Sequence, residues 1–209
     1  SPDEHPALPV KILGASPLLE ALGNAKTLRN DNSSRFGKFL IVFFDNSFSV
    51  CGAWNEVYLL EKSRITQTEA GERSYHIFYQ LLYGGSDDIR RKCRFDNVNG
   101  GQHMRYLAHA GKASCYEVAG RSEEVELADV NRSILSLGFS PEEQLGIFRT
   151  VAAVQHLGNL RIEATEDGEG ATVVADDSST PLGDRLVRAC SMLGVEASFL
   201  SCALTQSTI

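Results

Sequence analysis

Phe36-Gly37-Lys38-Phe39-Leu40-Ile41-Val42-Phe43-Phe44 is the stretch that most constrains the fold of this 209-residue chain. It is dense in aromatic and β-branched residues, which suit a pleated surface, so it reads as a buried strand. Asp45-Asn46-Ser47 has turn chemistry. Val50 to Leu60 offers a second strand, and the short connection predicts an antiparallel hairpin. The residues before this run are its opposite. Lys26-Thr27-Leu28-Arg29-Asn30-Asp31-Asn32-Ser33-Ser34-Arg35 has little to bury and is expected to be an exposed loop.

Helices flank this unit. Ser16-Pro17 ahead of Leu18, Leu19 and Leu22 predicts a helix capped by Ser16 and ended at Gly23-Asn24. Gly71 to Tyr83 carries Tyr75, Phe78, Leu81 and Leu82 at helical spacing, closed by Gly84-Gly85. Residues 84–125 read as short helices joined by loops, and Leu127 to Leu137 as a helix. Ser140-Pro141-Glu142-Glu143 is a capping box with proline at the first helical position. Leu145, Phe148, Val151, Val154 and Leu157 then form an apolar stripe that Gly158 stops. Leu160 to Ala164 alternates like a strand, residues 165–180 read as a surface loop, and Leu182–Leu193 and Glu196–Leu204 as two final helices. No internal repeat or domain linker is evident. The fold class expected is α/β.

Composition excludes several functions. A net charge of −7 disfavours nonspecific nucleic-acid binding. No apolar run has the length of a membrane span, and the first residues lack a signal-peptide pattern. The glycosylation-like triplets Asn32-Ser33-Ser34 and Asn131-Arg132-Ser133 are therefore expected to be unused. Cys51, Cys93, Cys115, Cys190 and Cys202 are odd in number with no Cys-x-x-Cys pair, and read as free thiols in a reducing compartment. His103 and His109 have no ligand-spaced partner, so a metal site built on them is not expected. Gly100-Gly101-Gln102 is too short a match to carry peptide-release chemistry. Asp87-Asp88 and Asp176-Asp177 read as solvated surface.

The polar loop can carry chemistry. Asn30, Asn32, Ser33 and Ser34 offer amides and hydroxyls, and Arg35 a fixed cationic fork. Such groups suit phosphate oxygens, a serine hydroxyl suits a hard cation such as Mg²⁺, and the fork suits a carboxylate or phosphate. Its place between a helix and a strand is where open α/β sheets put ligand loops. The same composition also serves a hydrogen-bonded turn without a ligand.

Gly23 to Phe39, read continuously as Gly-Asn-Ala-Lys-Thr-Leu-Arg-Asn-Asp-Asn-Ser-Ser-Arg-Phe-Gly-Lys-Phe, resembles the switch I segment of the myosin motor domain and its following strand. Tyr58-Leu59-Leu60-Glu61-Lys62-Ser63-Arg64 is similar to the end of the next strand in that family, and Glu72 to Leu82 to the helix after it. Met104-Arg105-Tyr106-Leu107 is a looser match. Phe148 to Leu160, with His156-Leu157-Gly158-Asn159-Leu160, resembles the helix-to-strand junction of the upper motor subdomain. The segments occur in the family's order through nearly the whole chain.

The resemblance implies a part of a P-loop NTPase-type motor domain across residues 1–209. It places the switch I loop at 24–38, central-sheet strands at about 36–60, and a mainly helical upper subdomain at about 71–209. It implies ATP and Mg²⁺ as cofactors. Asn30, Ser33 and Ser34 would contact the ATP phosphates. Ser33 would also help hold the attacking water, and Ser34 would ligate Mg²⁺. Arg35 would pair with the switch II glutamate. Ser33 and Arg35 are thus the catalytic candidates. Actin is the implied partner, in a cytoplasmic, cytoskeletal myosin complex that hydrolyses ATP to move on actin; light chains would bind regions outside this sequence.

Departures accompany the matches. Gly37-Lys38 is followed by Phe39 and Gly111-Lys112 by Ala113, so no P-loop Gly-Lys-Ser/Thr occurs, and neither does the switch II Asp-x-x-Gly-Phe-Glu. Ser16 and Leu22 stand where asparagine and phenylalanine are more typical, and Asp45 to Trp54 is unlike most myosins. The expectation is an internal segment of a motor whose 209 residues alone do not hydrolyse ATP. A truncated, myosin-like interaction module without catalysis is the alternative, and another P-loop NTPase with a related switch a weaker one.

Overall fold

A computed structural model describes residues 8–96, 104–107, 116–174 and 185–206. The chain opens with helix α1 (Leu8–Gly14) and helix α2 (Ser16–Gly23). Strand β1 (Asn24–Ala25) follows at once, and after a loop comes β2 (Ser33–Ser34). Strands β3 (Gly37–Phe44) and β4 (Val50–Tyr58) precede a single 3₁₀ turn at Lys62–Ile65. Helices α3 (His76–Gly84), α4 (Asp87–Lys92), α5 (Glu123–Ser136) and α6 (Pro141–Gly158) come next. Strands β5 (Ile162–Ala164) and β6 (Ala171–Val173) and helices α7 (Arg185–Leu193) and α8 (Ala197–Thr205) complete the order.

Helix α3 is the axis of the core. Its residues from His76 to Leu82 are all buried, because neighbours cover it on every side. Leu18 and Ala21 of α2, Leu127, Val130 and Ile134 of α5, and Phe148, Val151, Ala152 and Ala153 of α6 join Ile77, Phe78, Tyr79, Leu81 and Leu82 in one cluster. Each buried large aliphatic or aromatic side chain there is worth about 1.5–3 kcal/mol relative to exposure. Polar bonds fix the register. The Gln155 amide donates to the Phe78 carbonyl at 2.9 Å, and Asn159 accepts from the Tyr106 amide at 3.1 Å. The end of α3 needs a small residue, because a Cβ on Gly84 would lie 2.3 Å from the Glu123 carbonyl oxygen.

The capping box is present: Ser140 accepts from the Glu143 amide, and Glu143 accepts from the Ser140 amide. Helix α5 starts on a similar serine, with Ser122 accepting from the Val125 amide. Ser16 does not cap. Ala15 occupies the N-cap position with no side-chain bond, and Ser16-Pro17 is the first helical pair. The chain already turns helically at α1, an element the sequence reading lacks, and the Ala15 amide bonds to Lys11 of α1.

The sheets depart further from expectation. Strand β3 pairs antiparallel with β4, Gly37 opposite Tyr58 through Phe43 opposite Gly52, as the hairpin expectation requires. It is not buried: Phe39, Phe43, Phe44 and Trp54 are each at least half exposed. The described strands form three separate antiparallel pairs, β1–β2, β3–β4 and β5–β6, so no larger sheet covers the hairpin faces. Part of the expected surface loop at 165–180 is strand β6, whose Ala171 to Val173 pair with β5. His103, His109, Cys115, Gly100 to Gln102 and Asp176-Asp177 lie outside the described residues. Cys51, Cys93, Cys190 and Cys202 are free thiols.

Candidate functional site

The polar loop leaves the C-terminus of α2 and returns beside it. Strand β1 aligns Asn24 with Ser34 and Ala25 with Ser33. The Arg35 amide donates to the Gly23 carbonyl at 2.8 Å, so both ends of the loop are tied to the end of one helix. The Phe36 ring lies where a Cβ on Gly23 would sit, at 2.3 Å, and only glycine admits that approach.

Inside the loop the short polar side chains bond to the backbone. The Thr27 amide donates to the Asn30 carbonyl at 2.8 Å. The Thr27 hydroxyl donates to the same carbonyl at 3.0 Å and accepts from the Asn30 amide at 3.1 Å. Asn30 Oδ1 accepts from the Asn32 amide at 2.8 Å, an Asx turn that fixes the next residue. Lys26 and Asp31 close the base with an ion pair of 2.6 Å, and the Lys26 hydrogen bond holds Asp31 below the usual carboxylate range despite some desolvation. From outside, the Arg73 amide donates to the Lys26 carbonyl at 3.0 Å and Glu72 accepts from the Leu28 amide at 3.3 Å.

A cavity of about 320 Å³ opens on this loop, lined by Thr27, Leu28, Arg29, Asn30, Ser33, Arg35 and Glu72. Three of the four expected site residues, Asn30, Ser33 and Arg35, therefore share one surface. Ser34, the fourth, is not in that lining; it is exposed, and neighbouring residues of a strand point to opposite faces. The hydroxyls differ in their commitments. Ser33 Oγ accepts from Arg35 Nη1 at 3.2 Å, which leaves its own proton for another acceptor. Ser34 donates its proton to the Phe36 carbonyl at 2.8 Å, which leaves oxygen lone pairs for a donor or a cation.

The electrostatics behind Arg35 were not legible as a network in the sequence. Arg35 Nε meets Glu61 Oε2 at 2.5 Å. Glu61 also receives Arg64 through Nε at 3.0 Å and Nη2 at 3.2 Å. Arg64 further donates to Glu72 at 3.0 Å and to the Arg73 carbonyl at 3.0 Å. Partial burial pushes Glu61 upward, but the hydrogen bonds and charges of Arg64 and Arg35 outweigh it and hold the carboxyl below its ordinary range. Glu61 and Arg64 fall in the segment Tyr58 to Arg64 already singled out by resemblance; the signal for their roles was two charged residues three apart, followed by Glu72-Arg73.

The chemistry of this donor set fits a phosphate. It combines a cationic fork, an available hydroxyl and a side-chain amide in one cavity, with Glu72 at its rim as the one carboxylate in the lining. For a divalent cation the chain offers less. Among the described residues no group of three or more His, Cys, Asp or Glu side chains could hold a metal ion, so Ser34 could only complete a coordination sphere supplied mostly by other oxygens. Among those residues, too, no single helix is long and apolar enough to cross a membrane.

Known proteins resemble this chain along nearly its whole length. Residues 3–209 match the family described as Myosin head (motor domain). Myosin-2B of Naumovozyma castellii is 37% identical over 207 residues, 99% of this chain and 14% of its own length. Unconventional myosin-Ic of Danio rerio is 41% identical over 199 residues, 95% of this chain and 18% of its own length. Unconventional myosin-Vb of Mus musculus is 36% identical over 192 residues, 90% of this chain and 10% of its own length. The chain spans less than a fifth of each of these relatives. With the match running over residues 3–209 and relatives 36–41% identical across at least 90% of its length, the chain belongs to the myosin head (motor domain) family.

Proposed function

We propose that this chain is the switch I and upper-subdomain segment of an actin-based motor that binds and hydrolyses MgATP. The observation that carries the reading is the shared cavity of Asn30, Ser33 and Arg35 on a loop tied at both ends to α2. Asn30 has its side-chain carbonyl on the Asn32 amide, so its Nδ2 is the donor it would present to a phosphate oxygen. Ser33 would donate its hydroxyl to the γ-phosphate or orient the attacking water. Arg35 would supply positive charge and, after leaving Glu61, pair with a carboxylate brought by switch II. Ser34 would give its free lone pairs to Mg²⁺, whose role when bound is to neutralise charge on the phosphate oxygens. Catalysis of phosphoryl transfer rests on positioning and charge, which are what these groups can supply.

In the same reading residues 24–38 are switch I, the β3–β4 hairpin belongs to the motor's central sheet, and residues from about 71 onward form the helical upper subdomain beside the actin cleft. The exposed aromatic faces of the hairpin support this, since a sheet of more strands would cover them. The cytoplasmic cytoskeleton is the corresponding location. In the full-length native protein, Arg35→Ala and Ser33→Ala should each lower steady-state ATP turnover at least tenfold, and Ser34→Ala should raise the Mg²⁺ concentration needed for half-maximal rate. Unchanged turnover and Mg²⁺ dependence in all three variants would remove the switch I assignment.

A further inference from the structure

Asn32 is the point at which the loop is fastened to three separate elements. Its Nδ2 donates to Glu20 Oε2 of α2 at 3.0 Å. Its Oδ1 accepts from Asn24 Nδ2 of β1 at 3.1 Å, and the same oxygen lies 3.1 Å from His76 Nε2 at the start of α3. Chemistry settles the orientations. An ionised carboxylate only accepts, so the Asn32 nitrogen must face Glu20 and its oxygen must face Asn24 and His76. His76 must then carry its proton on Nε2 and donate it. The opposite ring nitrogen, Nδ1, is buried and has no hydrogen-bond partner among the described residues.

The rest of His76 is consistent with a fixed neutral donor. The residue is 1% exposed. Burial first, then the nearby charges of Arg121 and Arg73, push its pKa down to about 3 against a weak opposing pull from Asp31. A second proton would have to sit on the unpartnered Nδ1. The backbone follows the same path: Ala25 of β1 bridges to Tyr75, the residue before His76, while its other edge pairs with Ser33.

We propose that His76, with Glu20 on the solvent side, is a positioning residue for the nucleotide step, acting through Asn32 to set where Asn30, Ser33 and Arg35 stand. The inference rests on the reading of residues 30–35 as the nucleotide loop. An ordinary core histidine would fill space in α3 and nothing more. The difference is measurable, because filling space needs only shape, whereas positioning needs an Nε2-like donor directed at Asn32.

The test uses the full-length native protein and three variants. His76→Leu removes the donor and keeps an apolar side chain, His76→Gln restores an amide donor, and Glu20→Ala removes the outer acceptor from an exposed site without touching the core. Hydrogen exchange of residues 26–35 is measured without nucleotide, and KM and kcat for ATP are measured with it. The expected result is at least tenfold faster exchange in the loop for His76→Leu with unchanged exchange in α5 and α6, and a KM raised at least fivefold with a smaller change in kcat. His76→Gln should recover most of both, and Glu20→Ala should show a loop-confined effect of about threefold. Equal defects in His76→Leu and His76→Gln, or no change in loop exchange in His76→Leu and Glu20→Ala, overturn the proposal. Faster exchange with an unchanged KM also overturns it; if Arg35→Ala then leaves KM and kcat unchanged too, it is the nucleotide reading that has failed.

Discussion

Replacing Glu61 separates the two arginines that share it. Arg64 is 5% exposed at its side chain and grips both carboxylate oxygens, whereas Arg35 is 28% exposed and meets one oxygen. A buried, two-point charged hydrogen bond is worth about 2–3 kcal/mol. A partly solvated single contact is worth about 0.5–1 kcal/mol after screening, however short it is. Double-mutant cycles built from Glu61→Gln with Arg64→Met, and from Glu61→Gln with Arg35→Met, should return couplings in that order. Urea unfolding of the 209-residue chain, followed by circular dichroism, measures them. The consequence is functional. Arg35 can leave Glu61 at a cost of less than one decade in its equilibrium, roughly 1.4 kcal/mol, while Arg64 keeps the carboxylate in place for its return. A coupling to Arg35 equal to or larger than that to Arg64 would make Arg35 a fixed structural ion, unable to leave Glu61.

Acid should destabilise the fold in a definite window. Burial lowers His76 to about 3 and His156 to about 4, so the native rings stay neutral while the unfolded chain takes up protons below its ordinary value of about 6.5. Stability should fall as pH drops from about 6.5 toward 4, by at most about 3 kcal/mol per unit from the two rings together. Glu123, raised by burial against the pull of Arg73, opposes this; a flat urea midpoint between pH 6 and 4 would contradict the assignment. Arg73 is fully buried, pairs with Glu123 at 2.7 Å and stacks 3.6 Å over the Tyr79 ring, so Arg73→Met should cost about 3–5 kcal/mol in the same unfolding assay. Phe39→Lys with Phe43→Lys, on one exposed face of β3, should raise the solubility of the 209-residue chain by light scattering while shifting its stability by less than about 1 kcal/mol. Those 209 residues alone should show no ATP turnover above background; turnover abolished by Arg35→Ala would contradict this.

Local chemistry was legible where it is self-contained. The capping box at Ser140, the stop at Gly158 and the turn that pairs β3 with β4 as a hairpin all follow from chemistry within a few residues, and they stand in the fold. Ser16 misled because capping depends on the preceding backbone, and Ala15 is already helical there. The burial of β3 could not be read because an apolar run states what a strand can bury, not what is present to cover it. The candidate site divides in the same way. Residue type marked the loop as able to hold a ligand, and the resemblance named Asn30, Ser33, Ser34 and Arg35; the first two and Arg35 share a cavity, whereas Ser34 stands apart from its lining. Glu61, Arg64, Glu72, Glu20 and His76 were not assigned, because their importance lies in bonds spanning up to 44 residues, as between His76 and Asn32.

The proposed nucleotide loop of Asn30, Ser33, Ser34 and Arg35 can be seen at work in an experimental structure of the full-length native protein with Mg²⁺ and a non-hydrolysable ATP analogue. Terminal phosphate oxygens should lie within hydrogen-bond reach of Asn30 and Ser33, with Ser34 Oγ on the cation and Arg35 released from Glu61. Phosphates bound away from this loop, with Ser34 still donating to Phe36 and Arg35 still on Glu61, would contradict it.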